Sequence, residues 1–170
     1  MISDEFSKVL KERAARLSRP PEEEIAETRR VIMFDIVGER YGLAIENVSE
    51  IFRARGITPV PGARENIAGV TNLRGEIVTV LDLAGILEVR SSGSQPAEAQ
   101  IVVAEAESES AGLLVDRIAG IVDIAVNAVD PPLNTLEKVR AEHLLGEFKI
   151  DDRLVGLLNP ANILRLEENG

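Results

Sequence analysis

The residues best placed to do chemistry are two opposite charges, Arg74 and Glu50. Arg74 is the one large cation in the run Gly69-Val70-Thr71-Asn72-Leu73-Arg74-Gly75-Glu76-Ile77-Val78-Thr79-Val80-Leu81-Asp82-Leu83. Gly75 can take positive φ at low steric cost, so the chain can reverse there and carry Arg74 at the apex of a hairpin. A guanidinium at a turn tip makes forked hydrogen bonds to a carboxylate, which lysine cannot do. That chemistry is binding rather than catalysis. An ordinary surface ion pair, worth about 0–1 kcal/mol, is the other reading of Arg74 and Glu50, and both stand at this point.

Catalytic chemistry has little to work with. His143 is the only histidine and there is no cysteine, so a histidine cluster or thiol dyad cannot form, and His143 reads as structural. Asp82 and Asp116 are the nearest thing to an acid pair. Asp82 suits a helix cap after a strand, and Asp116 suits a strand end. A small-ligand-binding or hydrolytic β-barrel built on these two aspartates is the alternative function. Glu22-Glu23-Glu24 and Glu105-Ala106-Glu107 lack the spacing of a calcium loop. Gly69, Gly75 and Gly85 have the wrong spacing for a phosphate loop and no lysine after them. No catalytic residue, metal or cofactor is expected.

The chain around these residues has 170 positions, a length that suits one domain. Hydrophobic residues make up 45% and aromatic ones only 3%, so the core must be aliphatic. The formal net charge of −10 argues against nucleic acid, whose binding needs a cation-rich surface, and against adsorption to anionic membranes. No apolar run approaches the roughly 18 residues of a spanning helix. Asp4 and Glu5 stand where a signal peptide would be basic, and the absence of cysteine suits a reducing compartment. These features predict a cytoplasmic protein.

The elements that must position Arg74 and Glu50 are short strands. Val31–Val37 and Glu39–Ala44 flank Gly38 as a hairpin, Ile45–Val48 is a brief bend or helical turn, and Ser49–Ala54 is a further strand. Glu65–Ala68 is expected to form one helical turn before the central hairpin. Both faces of the strand after Arg74 are largely apolar, so it is expected to be covered on both sides. Residues 2–17 carry Ile2, Phe6, Val9, Leu10 and Leu17 at helical spacing, stopped by Pro20-Pro21. Residues 1–28 are read as a helical extension with an acidic linker, and residues 29–168 as the main domain. Pro160 opens a short terminal helix.

The second half repeats the first. Ile101, Gly112, Leu113, Ile118 and Ile121 match Val31, Gly42, Leu43, Val48 and Ile51, each 70 positions later. Gly146, Leu154, Val155 and Leu158 match Gly69, Ile77, Val78 and Leu81, each 77 later. This is the mark of an internal duplication, with repeats near 31–87 and 101–164. Each repeat is expected to form a small β-barrel, the two being interlocked subdomains packed on each other, and barrels leave no exposed sheet edge. Divergence between the copies is informative: Arg74-Gly75 becomes Asp151-Asp152, and Glu50 becomes Gly120. Only the first copy carries the charged pair.

Thr71-Asn72-Leu73-Arg74-Gly75 followed by Val80-Leu81-Asp82-Leu83, with Tyr41–Ile51 upstream and Leu114–Val122 downstream, resembles the CheW family of chemotaxis coupling proteins. The resemblance covers about residues 30–166 and implies two five-stranded barrels. It implies a non-enzymatic adaptor that couples the cytoplasmic tips of methyl-accepting chemoreceptors to the histidine kinase CheA, recruited to membrane receptor arrays without inserting into the membrane. Carried over by motif, the partner-binding positions are Val48, Glu50, Asn72, Arg74 and Gly75.

Overall fold

The computed structural model describes residues 27–89, 96–132 and 141–168. The helix expected over residues 2–17 lies outside them. Ten strands are described: β1 (Thr28–Ile36), β2 (Glu39–Ala44), β3 (Val48–Arg53), β4 (Ile67–Leu73), β5 (Glu76–Leu81), β6 (Gln100–Ala106), β7 (Glu109–Val115), β8 (Arg117–Ala125), β9 (Leu144–Ile150) and β10 (Arg153–Leu158). Short helices follow β5 (Leu83–Ile86) and β10 (Pro160–Glu168). No described helix is long and apolar enough to cross a membrane. β1 begins at Thr28, which pairs with Ala125, so the strand starts inside what the sequence assigned to the linker. Glu65 and Asn66 form a plain turn, with Ile67 already in β4, where a helical turn was expected.

The duplication is present in the strand pairing. Leu43 pairs with Ile32 and Leu113 with Val102, so the two leucines hold equivalent places. β4 and β9 are both seven residues long and start 77 positions apart. The repeats do not, however, form separate barrels. One sheet runs β8-β1-β2-β10-β9 and the other β3-β6-β7-β5-β4. Each five-stranded sheet therefore takes strands from both halves of the chain. The exchange is symmetric: Met33 of β1 pairs with Gly120 of β8, and Val103 of β6 pairs with Glu50 of β3. The parallel pairs match as well, Leu157 with Gly42 and Val80 with Gly112.

Neither sheet closes into a barrel. The edge strands β3 and β4 face each other across a seam bridged by Thr58 and Val70, and the seam of the other sheet is bridged by Asp130 and Glu147. Gly69 and Gly146 sit at these crossings. A β-carbon at either would run into the carbonyl oxygen of Thr58 or Asp130. Gly69→Ala and Gly146→Ala are each expected to cost about 1–3 kcal/mol, the usual size of overpacking, read as a lower midpoint in urea unfolding. An unchanged midpoint would mean that the seams are not close-packed.

Strand alternation builds three cores. Val31 and Met33 point into the first curled sheet with Phe148, Val155 and Leu157. Their counterparts Ile101 and Val103 fill the second with Val80. The other face of the same strands, including Ile32, Phe34 and Val102, joins Leu43, Leu113, Ile163 and Leu164 in a larger core to which both sheets contribute. Burial on both faces explains why these strands read as continuous apolar runs.

Candidate functional site

β4 and β5 are joined by a two-residue turn, with Leu73 opposite Glu76. Arg74 and Gly75 have φ of 53° and 86°, the left-handed pair of a type I′ turn. The Asn72 side chain accepts from the Gly75 amide at 2.9 Å and holds the turn closed. Arg74 is thrown outward, its side chain 81% exposed, and its guanidinium lies 2.9 Å from the Glu50 carboxylate. Glu50 is on β3 and Arg74 at the end of β4, so the pair reaches across the open seam of that sheet. Val48, at the start of β3, is half-buried and packs on the large core. The structure thus gathers Glu50 and Arg74 as one charged feature, gives Asn72 and Gly75 to the turn that presents it, and uses Val48 to anchor the strand beneath.

The central hairpin differs from expectation in one respect. Its distal end is not covered: Ile77 is 76% exposed, because β5 runs beyond its short parallel pairing with β7 at Val80 and Leu81. An exposed aliphatic beside a salt-bridged arginine has the chemistry of a protein contact, in which apolar burial gives affinity and the guanidinium gives register. At the matching hairpin Leu154 is also exposed, but Gly120 and Asp151 leave no equivalent ion pair.

The sequence reading missed a second charged cluster. Asp35, only 6% exposed, receives Arg40 at 2.8 Å and Arg117 at 2.9 Å, with Arg153 at 3.7 Å. The four residues come from β1, β2, β8 and β10, whose ends meet at one corner of the first sheet. Burial alone would raise the Asp35 carboxyl. Hydrogen bonds from Arg40 and Arg117, with the charges of Arg40 and Arg153, outweigh it and hold the carboxyl below its usual value. A signal was available, because Asp35 falls in register with Val31 and Met33 on an otherwise apolar face. The corresponding corner of the second sheet has Glu105, Ser110, Asn47 and Glu76, with no arginine.

The remaining polar candidates serve the backbone. Asp82 accepts from the Gly85 amide at 3.2 Å, the helix cap expected of it. Asp116 accepts from the Val37 amide at 2.7 Å. Val37 has φ of 49°, a strained value for a β-branched residue, and Asp116 steadies that turn. His143 occupies the place that Asn66 holds in the first repeat: each carbonyl accepts from the residue after a strand, Asn159 or Asp82. The His143 ring is buried, its Nδ1 has no hydrogen-bond partner among the described residues, and burial lowers its pKa below 6.5 against a smaller raising effect of Glu142.

The neutral imidazole is thus the form that folding favours. Its stabilising effect is whole above about pH 6.5, the unfolded value, and is lost as pH falls through the lower folded value. His143→Asn, which copies the first repeat, is expected to flatten the decline in melting temperature over that window. A slope identical to that of the original chain would show that His143 does not titrate with folding.

Comparison with known proteins agrees with this geometry. The family model described as CheW-like domain matches residues 30–168. The chain is 32% identical over 134 residues to the chemotaxis protein CheW of Thermotoga maritima, spanning 79% of this chain and 86% of that protein. It is 32% identical over 157 residues to protein FrzA of Myxococcus xanthus, spanning 91% and 92%. Among solved structures, the scaffolding protein TtCheW of Thermoanaerobacter tengcongensis superposes with a TM-score of 0.69 at 29% identity, covering 77% of this chain and 88% of that one. With two curled sheets sharing strands, a charged hairpin tip across one seam and a family match over nearly all the described residues, this chain belongs to the CheW-like family.

Proposed function

We propose that this protein is a non-enzymatic adaptor that couples chemoreceptors of the methyl-accepting type to the histidine kinase CheA in chemotaxis signalling. The observation that carries the reading is the CheW-like domain over residues 30–168. The carboxylates on which a hydrolytic alternative rested, Asp82 and Asp116, both accept from backbone amides. The adaptor acts by binding alone, at the cytoplasmic face of receptor arrays. It transmits a signal because the receptor's states differ in their affinity for the adaptor–kinase assembly.

The partner contact is assigned to Val48, Glu50, Asn72, Arg74 and Gly75, with Ile77 added from its exposure. Support comes from the exposed Arg74–Glu50 pair and from its absence in the matching hairpin. The experiment is reconstitution. The purified protein is added to receptor-bearing membranes and CheA, and kinase autophosphorylation is followed with and without receptor ligand. Kinase activity that rises with the adaptor and falls with ligand is expected. No change over the full concentration range, with a folded protein, would remove the coupling function.

A further inference from the structure

Two aliphatic side chains stand in solvent where their counterparts in the other repeat are packed. Ile121 on β8 is 58% exposed, and Ile45, directly after β2, is 36% exposed. The matching residues, 70 positions away, are Ile51 and Val115. Both pack on the large core, and Val115 is buried. A lone exposed aliphatic is ordinary on a protein surface, but two exposed at positions that the same fold covers elsewhere mark a face left open. They flank one stretch of β1: Ile121 pairs with Ile32, whose other neighbour is Leu43, two residues before Ile45. The cause at Ile45 is a difference between the repeats. Phe34, Ile36 and Tyr41 become Ala104, Ala106 and Ala111, all facing the large core. After Val115, the Asp116 amide donates to the Asp35 carbonyl, which sets Val115 beside Phe34 and Ile36. After Ile45, the Asn47 side chain donates to the Glu105 carbonyl at 3.0 Å, which sets Ile45 beside two alanines.

The chain itself supplies a cover. Residues 1–26 precede the described ones, and the chain enters the fold at this face. The Glu27 carbonyl accepts from the Val126 amide, Thr28 pairs with Ala125, and Arg29 lies 3.6 Å from Glu46. The entry point is thus between β8 and the Ile45–Asn47 turn, the two elements that carry the exposed isoleucines. Ile2, Phe6, Val9 and Leu10 fall on one side at helical spacing, so a helix over residues 2–17 presents an apolar stripe. The linker of residues 18–27 can span up to about 33 Å. From Thr28 to Ile32 along β1 is only about 13 Å, so the stripe can fold back over the face. A segment on so short a tether is present at an effective concentration on the order of millimolar.

We propose that residues 2–17 lie as a helix across β8, β1 and the Ile45–Asn47 turn, with Ile2, Phe6, Val9 and Leu10 against Ile45 and Ile121. The chain then covers its own open face, and a partner reaches that face only by displacing the segment. The test needs neither receptor nor kinase. The chain has no cysteine, so Lys11→Cys accepts a single nitroxide, on the side of the predicted helix away from the stripe. In the full chain with isotope-labelled isoleucine methyls, the NMR signals of Ile45 and Ile121 should lose intensity relative to the chemically reduced label, while Ile77 keeps its own. Val9→Asp with Leu10→Asp, placed outside both sheets so that folding is not at stake, should restore the two signals. Signals still lost in that variant would overturn the stripe as the contact. A mixture of nitroxide-bearing chains with isotope-labelled chains lacking the nitroxide separates the sources. Loss of the Ile45 and Ile121 signals in that mixture would mean that a second copy covers the face, and would overturn the proposal. Loss at Ile77, loss spread over every isoleucine, or no loss at all would overturn it too.

Discussion

Arg74→Glu is expected to abolish coupling between receptor and kinase while leaving the protein folded. The Arg74 side chain stands largely in solvent, so its loss removes little packing. The new carboxylate beside Glu50 adds only a screened repulsion, and the stability change should stay near 0.5 kcal/mol. Binding is another matter, because desolvating an interface around two like charges, with a required cation gone, costs on the order of 2–5 kcal/mol. Arg74→Asn sharpens the test. Asparagine tolerates the left-handed backbone of this turn position better than arginine does. That variant should melt as high as the original chain or slightly higher, yet still couple poorly. Asp151→Arg, at the matching turn of the second repeat, is the control and should couple normally. One thermal melt and one reconstituted kinase assay decide the matter: normal coupling by Arg74→Glu would dismiss the site, and unfolding would make Arg74 structural.

Asp35→Asn is expected to be the most damaging change to stability among the polar residues considered. Removing one member of a buried ion pair costs roughly 3–5 kcal/mol when the partner charge is stranded away from water. Here Arg117 and Arg153 have side chains 62% and 41% exposed and can rehydrate, so the loss should be nearer 2 kcal/mol. Most of it comes from Arg40, whose side chain is only 18% exposed and whose hydrogen-bonded charge partner is Asp35, with the charge of Asp151 a smaller effect. The pH dependence follows from the lowered carboxyl. In the original chain the contribution is whole above about pH 3.9, the unfolded value, and fades as pH falls through the lower folded one. Asp35→Asn should therefore be less stable at neutral pH and lose less between neutral pH and strong acid. Parallel urea titrations at neutral and acid pH read both effects. Equal acid sensitivity in the two chains would mean that the cluster carries no linked proton.

The sequence by itself determined the local structure and the kind of chemistry. Alternating apolar positions set the strands, and short gaps between them set the two-residue turns, because both depend on neighbours along the chain. The duplication was legible because residues of the same class recur at constant offsets, as with Leu43 and Leu113, both buried. Arg74 at a turn apex, Asp82 as a cap and the Glu50–Arg74 contrast between copies followed from residue type and spacing. Only the tertiary structure decided which strands became neighbours. A period of two says which face of β3 or β8 is apolar, but a strand exchanged between two similar halves buries the same face in either partner. For that reason the expectation of one barrel per repeat failed although most strands lay close to where the sequence put them. The Asp35 cluster was hidden for a related reason. Its four charges come from strands as far apart as β1 and β10, and no local pattern records that their ends converge. Ile77 is exposed because pairing with β7 stops short of it, and the length of that pairing is set by the packing of the whole sheet, not by the residues of β5.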